Sequence, residues 1–123
     1  PALVAPGEFD FDSGVAAAKQ FLASPRRPTA IFASNDDMAA GVLSVAHDMG
    51  LSVPDELSVA GFDDTTLARM VWPQLTTIRQ PTREMAHAAT QLLLAGTQLI
   101  HQRLPHDLVE RASVAAINPD ILS

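Results

Sequence analysis

Two stretches, IFASNDDMAAG (31–41) and LSVAGFDD (57–64), each run from a short apolar segment directly into a cluster of amide and carboxylate side chains. That pattern constrains the fold more tightly than any other feature of the chain. Strands of an open parallel sheet are covered on both faces and read as unbroken apolar runs; ligands bind outside their carboxyl ends, where the chain turns into the next helix. The two stretches therefore predict buried strands whose carboxyl ends carry Asn35, Asp36, Asp63 and Asp64, the first candidates for a site.

The rest of the chain supplies an alternation to match. After an irregular acidic start over residues 1–12, Ser13 is a suitable N-cap for a helix with Val15, Ala18 and Leu22 on one face, stopped by Pro25. A strand is predicted at 29–33. A helix follows at 36–49, with Met38, Val42, Val45, Ala46 and Met49 at helical spacing and Gly50 placed to end it. Strands are expected at 57–62 and 76–79, with at most a short helix at 65–71 between them. Pro81 opens a helix whose apolar stripe is Met85, Ala88, Ala89, Leu92 and Leu93, fading near Gly96. Residues 104–116 alternate weakly and suit a sheet edge. Strands and helices alternating through short connections define an α/β fold, a parallel-stranded open sheet with flanking helices.

Composition bounds what such a fold can do. A chain of 123 residues with 47% apolar content is one domain with one real core. The net charge of -6 gives no electrostatic footprint for phosphate backbones, so nucleic acid is not expected as a direct partner. With no cysteine, thiolate metal sites and thiol nucleophiles are excluded. No apolar run reaches the length of a membrane span and no leader pattern opens the chain, so a soluble, cytoplasmic protein is expected.

The polar clusters have two readings. Asn and Asp are preferred helix N-caps, so capping accounts for one member of each cluster. The coincidence of two clusters at the carboxyl ends of neighbouring strands favours a binding site. An amide beside carboxylates suits hydroxyl recognition, because carboxylates accept from O–H groups while Asn both donates and accepts. That chemistry fits a sugar or polyol. An enzyme holding Mg²⁺ on the acidic clusters for phosphoryl transfer is the competing class. It lacks a cationic clamp, since the one lysine, Lys19, belongs to the first helix, and no phosphate loop, nucleophile elbow or zinc-binding motif is present. His47, His87, His101 and His106 are scattered without ligand spacing and read as surface residues. No enzyme activity, metal or cofactor is expected. Trp72 is an apolar anchor for a core or a subunit contact, and Met38 and Met49 read as core filling.

At these same residues the sequence resembles the ligand-binding domain of LacI/GalR-family bacterial transcription regulators. The match runs in order through PTAIFASNDDMAAGVL (28–43), GLSVPDELSVAGFDD (50–64) and PQLTTIRQP (73–81) and covers nearly the whole chain. The resemblance implies the periplasmic-binding-protein-like fold, in which two α/β subdomains close on a small ligand. Residues 1–123 are similar to the C-terminal portion of that domain, with no helix-turn-helix and without most of the N-terminal subdomain. Carried over by residue, Asn35 and Asp63 are implied to hydrogen-bond sugar hydroxyls, Phe9 to lie against the ligand and Gln80 to stand near the hinge. Leu67, Met70, Val71 and Trp72 fall in a region that the family uses for dimer contacts. The implied partners are a sugar-like effector and a second copy of the chain, with DNA bound only through the missing N-terminal domain. A sugar-binding protein of a transport system is the alternative within the same fold. An earlier strand and helix of the family's C-terminal subdomain, carrying a basic ligand contact, have no match here.

Overall fold

The computed structural model describes residues 3–96 and 101–116. Along the chain they form α1 (Phe11–Leu22), β1 (Ala30–Phe32), α2 (Asp36–Asp48), β2 (Ser58–Phe62), α3 (Leu67–Met70), β3 (Thr76–Arg79), α4 (Thr82–Ala95) and β4 (Asp107–Val109). The four strands make one sheet in the order β1-β2-β3-β4, with β1–β2 and β2–β3 parallel and β4 antiparallel to β3. The predicted elements are all present, including the edge strand from the weakly alternating tail.

Register shows how the sheet is covered. Ile31 pairs with Val59, and Gly61 with Thr77, so these residues share one face. α2 lies on that face, and α1 packs against α2. The core is the apolar surface between them, including Ala18, Leu22, Met38, Val42, Val45, Val59 and Leu75. Gly14 permits the close contact of the two helices: a Cβ there would lie 2.3 Å from the carbonyl oxygen of Met38.

The structure corrects several expectations. α1 begins before Ser13: Asp10 is the N-cap, its carboxylate accepting from the Ser13 N–H at 2.8 Å. A carboxylate three residues upstream provides the acceptor that Ser13 would have offered to a later start. The strand at 29–33 is buried on one face only, through Ile31 and Ala33. β1 is a sheet edge, Ala30 and Phe32 are exposed, and the described helices cover only the opposite face. Met49 follows the last turn of α2 and is exposed rather than core. Trp72 is 88% exposed, which excludes the core alternative for it. No residue of α4 is buried, and its Met85 and Leu93 face outward, so that helix adds nothing to the core among the described residues. All four histidines are exposed, as expected.

Candidate functional site

The three parallel strands end side by side. Phe32 pairs with Ala60, and Phe62 with Ile78, so Asn35, Asp63 and Gln80 leave the sheet at the same edge. Neighbouring strands are only about 4.8 Å apart. Each of these residues is fixed by a different local device.

Asn35 is the N-cap of α2. Its Oδ1 accepts from the Met38 N–H at 2.9 Å, and its Nδ2 donates to the carbonyl of Phe9 at 2.8 Å. The capping role is therefore real, and it also ties the segment before α1 to the end of β1. An amide retains a second N–H and a second lone pair after these two bonds. Phe9 has a positive φ of 59° and is 66% exposed. Its ring is not packed in the core. Its bonded carbonyl anchors the residue at the same strand end as Asn35.

Asp63 and Gln80 come together directly: Gln80 Nε2 donates to Asp63 Oδ1 at 2.5 Å. The Asp63 backbone N–H is held by the Ile78 carbonyl at 2.8 Å. Asp63 Oδ2 has no donor among the described residues, so this strand end offers a carboxylate oxygen able to accept from a ligand O–H.

Asp36 and Asp64, first candidates from the sequence, are tied up inside the protein. Asp36 is fully buried. Its Oδ2 accepts from the Thr65 N–H at 2.7 Å and from Thr65 Oγ1 at 3.1 Å, and its Oδ1 accepts from Thr77 Oγ1 at 2.6 Å. It joins the start of α2 to the turn after β2 and to β3. Gly61 leaves room for it, since a Cβ there would lie 2.6 Å from Asp36 Oδ1. The Asp64 side chain is 7% exposed and sits between Arg79 Nη2 at 2.6 Å and Arg111 Nη2 at 2.5 Å. Burial pushes the Asp64 carboxyl up, but the bonded guanidinium groups of Arg111 and Arg79 outweigh it and hold the group below the ordinary carboxylate value.

Sequence reasoning missed Arg111 and Ser113. Ser113 is buried beneath β2 and β3, where its Oγ accepts from the Thr76 N–H at 2.8 Å and donates to the Val59 carbonyl at 2.5 Å. Both residues follow a weak edge strand, and nothing nearby in the chain marks their partners, which lie 35 or more residues away. The pattern of helical spacing carries no signal of such a contact.

A spacious groove lies elsewhere. About 680 Å³ in size, it runs along α4 between His87, Ala88, Leu92 and Leu104, and none of the strand-end polar residues lines it. A smaller groove of about 420 Å³ begins at Gln80 and passes Pro81, Leu104 and Asp107. Binding specificity needs polar groups that converge, and that condition places the candidate site at the strand ends. Among the described residues no group of His, Asp and Glu is arranged to hold a metal ion, and no helix is long and apolar enough to cross a membrane.

Comparison with known proteins gives this fold a family. The profile of the periplasmic binding protein-like domain matches residues 1–114. The chain is 40% identical over 122 residues to the HTH-type transcriptional repressor CytR of Escherichia coli (strain K12), covering 95% of this chain and 36% of that protein. Among solved structures it is similar to the transcriptional regulator CelR in complex with cellobiose (TM-score 0.80, 35% identity, 91% of this chain and 36% of that one). It is also similar to a LacI-family transcriptional regulator from Enterococcus faecium with bound ribose (TM-score 0.78, 30% identity, 92% of this chain and 43% of that one). The chain belongs to the periplasmic binding protein-like domain family, and its relatives there are LacI-family regulators. The resemblance drawn from the sequence motifs thus extends over the described fold. The chain spans about a third of the length of the curated relatives it matches.

Proposed function

We propose that residues 1–123 are the C-terminal portion of the effector-binding domain of a LacI-type transcriptional regulator, and that a small sugar-like molecule binds at the carboxyl ends of β1, β2 and β3. The observation that carries this reading is the Asp63–Gln80 pair with its free carboxylate oxygen, on the strand neighbouring the one that Asn35 follows. Asp63 accepts sugar hydroxyls, Asn35 and Gln80 supply amide groups, and the exposed ring of Phe9 covers a C–H face of the sugar. Cellobiose and ribose in the related structures support a carbohydrate. Binding between this portion and its companion subdomain biases a two-state equilibrium that alters operator affinity, with DNA contacted by a part of the regulator outside this chain. The repressor names of its relatives support that role over an enzymatic one.

The exposed Met70 and Trp72, with Leu67 and Val71 behind them, form a homodimer contact in this reading. Val71 packs on the core and fixes the segment, leaving Met70 and Trp72 to meet a second copy. The site is tested by calorimetry with cellobiose and D-ribose on the full chain and on Asp63→Ala and Asn35→Ala. Each substitution is expected to cost about 1 to 3 kcal/mol of binding, the effect of leaving buried hydroxyls unpaired. Unchanged affinity in both variants refutes the assignment.

A further inference from the structure

Asp63 and Asp64 are consecutive residues with positive φ, 110° and 53°. Side chains with a Cβ rarely adopt this backbone, and it persists only where the surroundings over-determine it. The surroundings do so mainly through Asp64. Arg79 reaches the Asp64 carboxylate with Nε at 2.7 Å and Nη2 at 2.6 Å, but its side chain is 54% exposed, and solvent screens that pair. The Arg111 side chain is 11% exposed and doubly anchored: Nη2 binds Asp64 Oδ1 at 2.5 Å, and Nη1 donates to the Leu75 carbonyl at 2.8 Å. The Arg111 backbone N–H is fixed in turn by Thr76 Oγ1 at 2.9 Å. A continuous series of contacts therefore runs from the chain beyond β4, through Arg111 and Asp64, to the turn that presents Asp63.

We propose that Arg111 and Asp64 are positioning residues for the strand-end site: Arg111, clamped to β3, holds the Asp63–Asp64 turn so that Asp63 faces the ligand with one oxygen on Gln80 and the other free. This rests on the reading of Asp63 as a hydroxyl acceptor. Removing the guanidinium leaves the buried Asp64 carboxylate with only a solvent-screened partner, and the turn relaxes toward an ordinary backbone. Neither residue touches the sugar. A role of this kind shows as local loosening plus lost affinity, whereas a general contribution to stability loosens the whole sheet.

The test compares wild type, Arg111→Met, Arg111→Lys, Asp64→Asn and Asp63→Ala in the full chain by NMR amide exchange and by calorimetry with cellobiose and with D-ribose. Arg111→Met is expected to speed exchange of the Asp63 N–H at least about 10-fold while the Ala33 N–H, bonded to the Ala60 carbonyl, is unchanged. Sugar affinity falls roughly 10-fold, the scale on which supporting residues around a site act. Arg111→Lys, keeping the charge but not the fork of donors, falls between. Asp64→Asn preserves side-chain volume and gives the same local loosening if Arg111→Met does not fold. Exchange at Asp63 equal to wild type in both Arg111→Met and Asp64→Asn, or acceleration spread equally to Ala33, overturns the positioning role. If Asp63→Ala loses affinity while Arg111→Met keeps it, the site stands and the positioning role fails. Should Asp63→Ala bind as wild type does, or neither sugar bind at all, the site reading is what fails, and the exchange result alone upholds or overturns the hold of Arg111 on the turn.

Discussion

Replacing Asp36 separates its structural work from any binding role, because its three hydrogen bonds end on groups of different accessibility. Asp36→Ala deprives the Thr65 N–H, the Thr65 hydroxyl and the Thr77 hydroxyl of their acceptor. Thr65 is exposed, so water restores part of what its two groups lose. Thr77 is fully buried, and its hydroxyl can recover no solvent bond. An unpaired buried donor costs about 1 to 3 kcal/mol, and bonds to a charged acceptor contribute at the upper end of that scale. Removing a buried charge also removes its desolvation penalty, which offsets some of the loss. The net expectation is about 2 to 4 kcal/mol, a large part of the total for a small domain. Asp36→Asn keeps one oxygen for Thr65, and its new N–H can be accepted by a rotated Thr77 hydroxyl, so about 1 kcal/mol is expected there. Urea unfolding followed by far-UV circular dichroism measures both; Trp72 is too exposed for its fluorescence to report the transition well. Thr77→Val should cost about 1 kcal/mol alone and almost nothing once Asp36 is Ala, a coupling that a double-mutant cycle isolates. Stability of Asp36→Ala within about 0.5 kcal/mol of wild type, or strictly additive losses, refutes the bracket.

Acid should expose the other buried carboxylate. The Asp64 carboxyl is held below its ordinary value in the folded chain, so its contribution is present above the unfolded value near about 4 and is lost as pH falls through the folded value. Thermal midpoints recorded between about pH 6 and 2.5 should separate wild type from Asp64→Asn at the upper end and converge at the lower; parallel curves contradict the ion pairs. Sedimentation from micromolar to near-millimolar concentration should show reversible dimers, weakened at least about 10-fold by Trp72→Ala combined with Met70→Ala, since exposed aromatic anchors dominate contacts of this kind. A single monomeric species at every concentration rules the contact out.

The boundaries of β3 and the end of α2 were readable because local rules fix them. Thr76–Arg79 is a short β-branched run, and α2 ends at Asp48, shortly before Gly50, which has the positive φ of 69° that glycine tolerates. Asn35 was identifiable both as a cap and as a strand-end residue, and both placements hold in the fold. The start of α1 was misjudged because Asp10 and Ser13 are both good caps, and the backbone selected the earlier one.

What the sequence determined by itself was the alternation of elements, the parallel sheet and the edge at which its polar clusters gather, since apolar periodicity and helix-end chemistry act over a few residues. Which aspartates face outward was decided only by tertiary structure. Asp36 and Asp64 look as available in the sequence as Asp63, yet Thr77 and Arg111, 41 and 47 residues away, claim them from β3 and from the chain beyond β4. Burial of β1 was equally out of reach of local pattern: an apolar run states that a strand can be covered, while the layers around it decide whether it is. Hydrogen bonds and ion pairs of this length in sequence are formed by the packing of the sheet, so they leave no periodic trace in the chain that makes them.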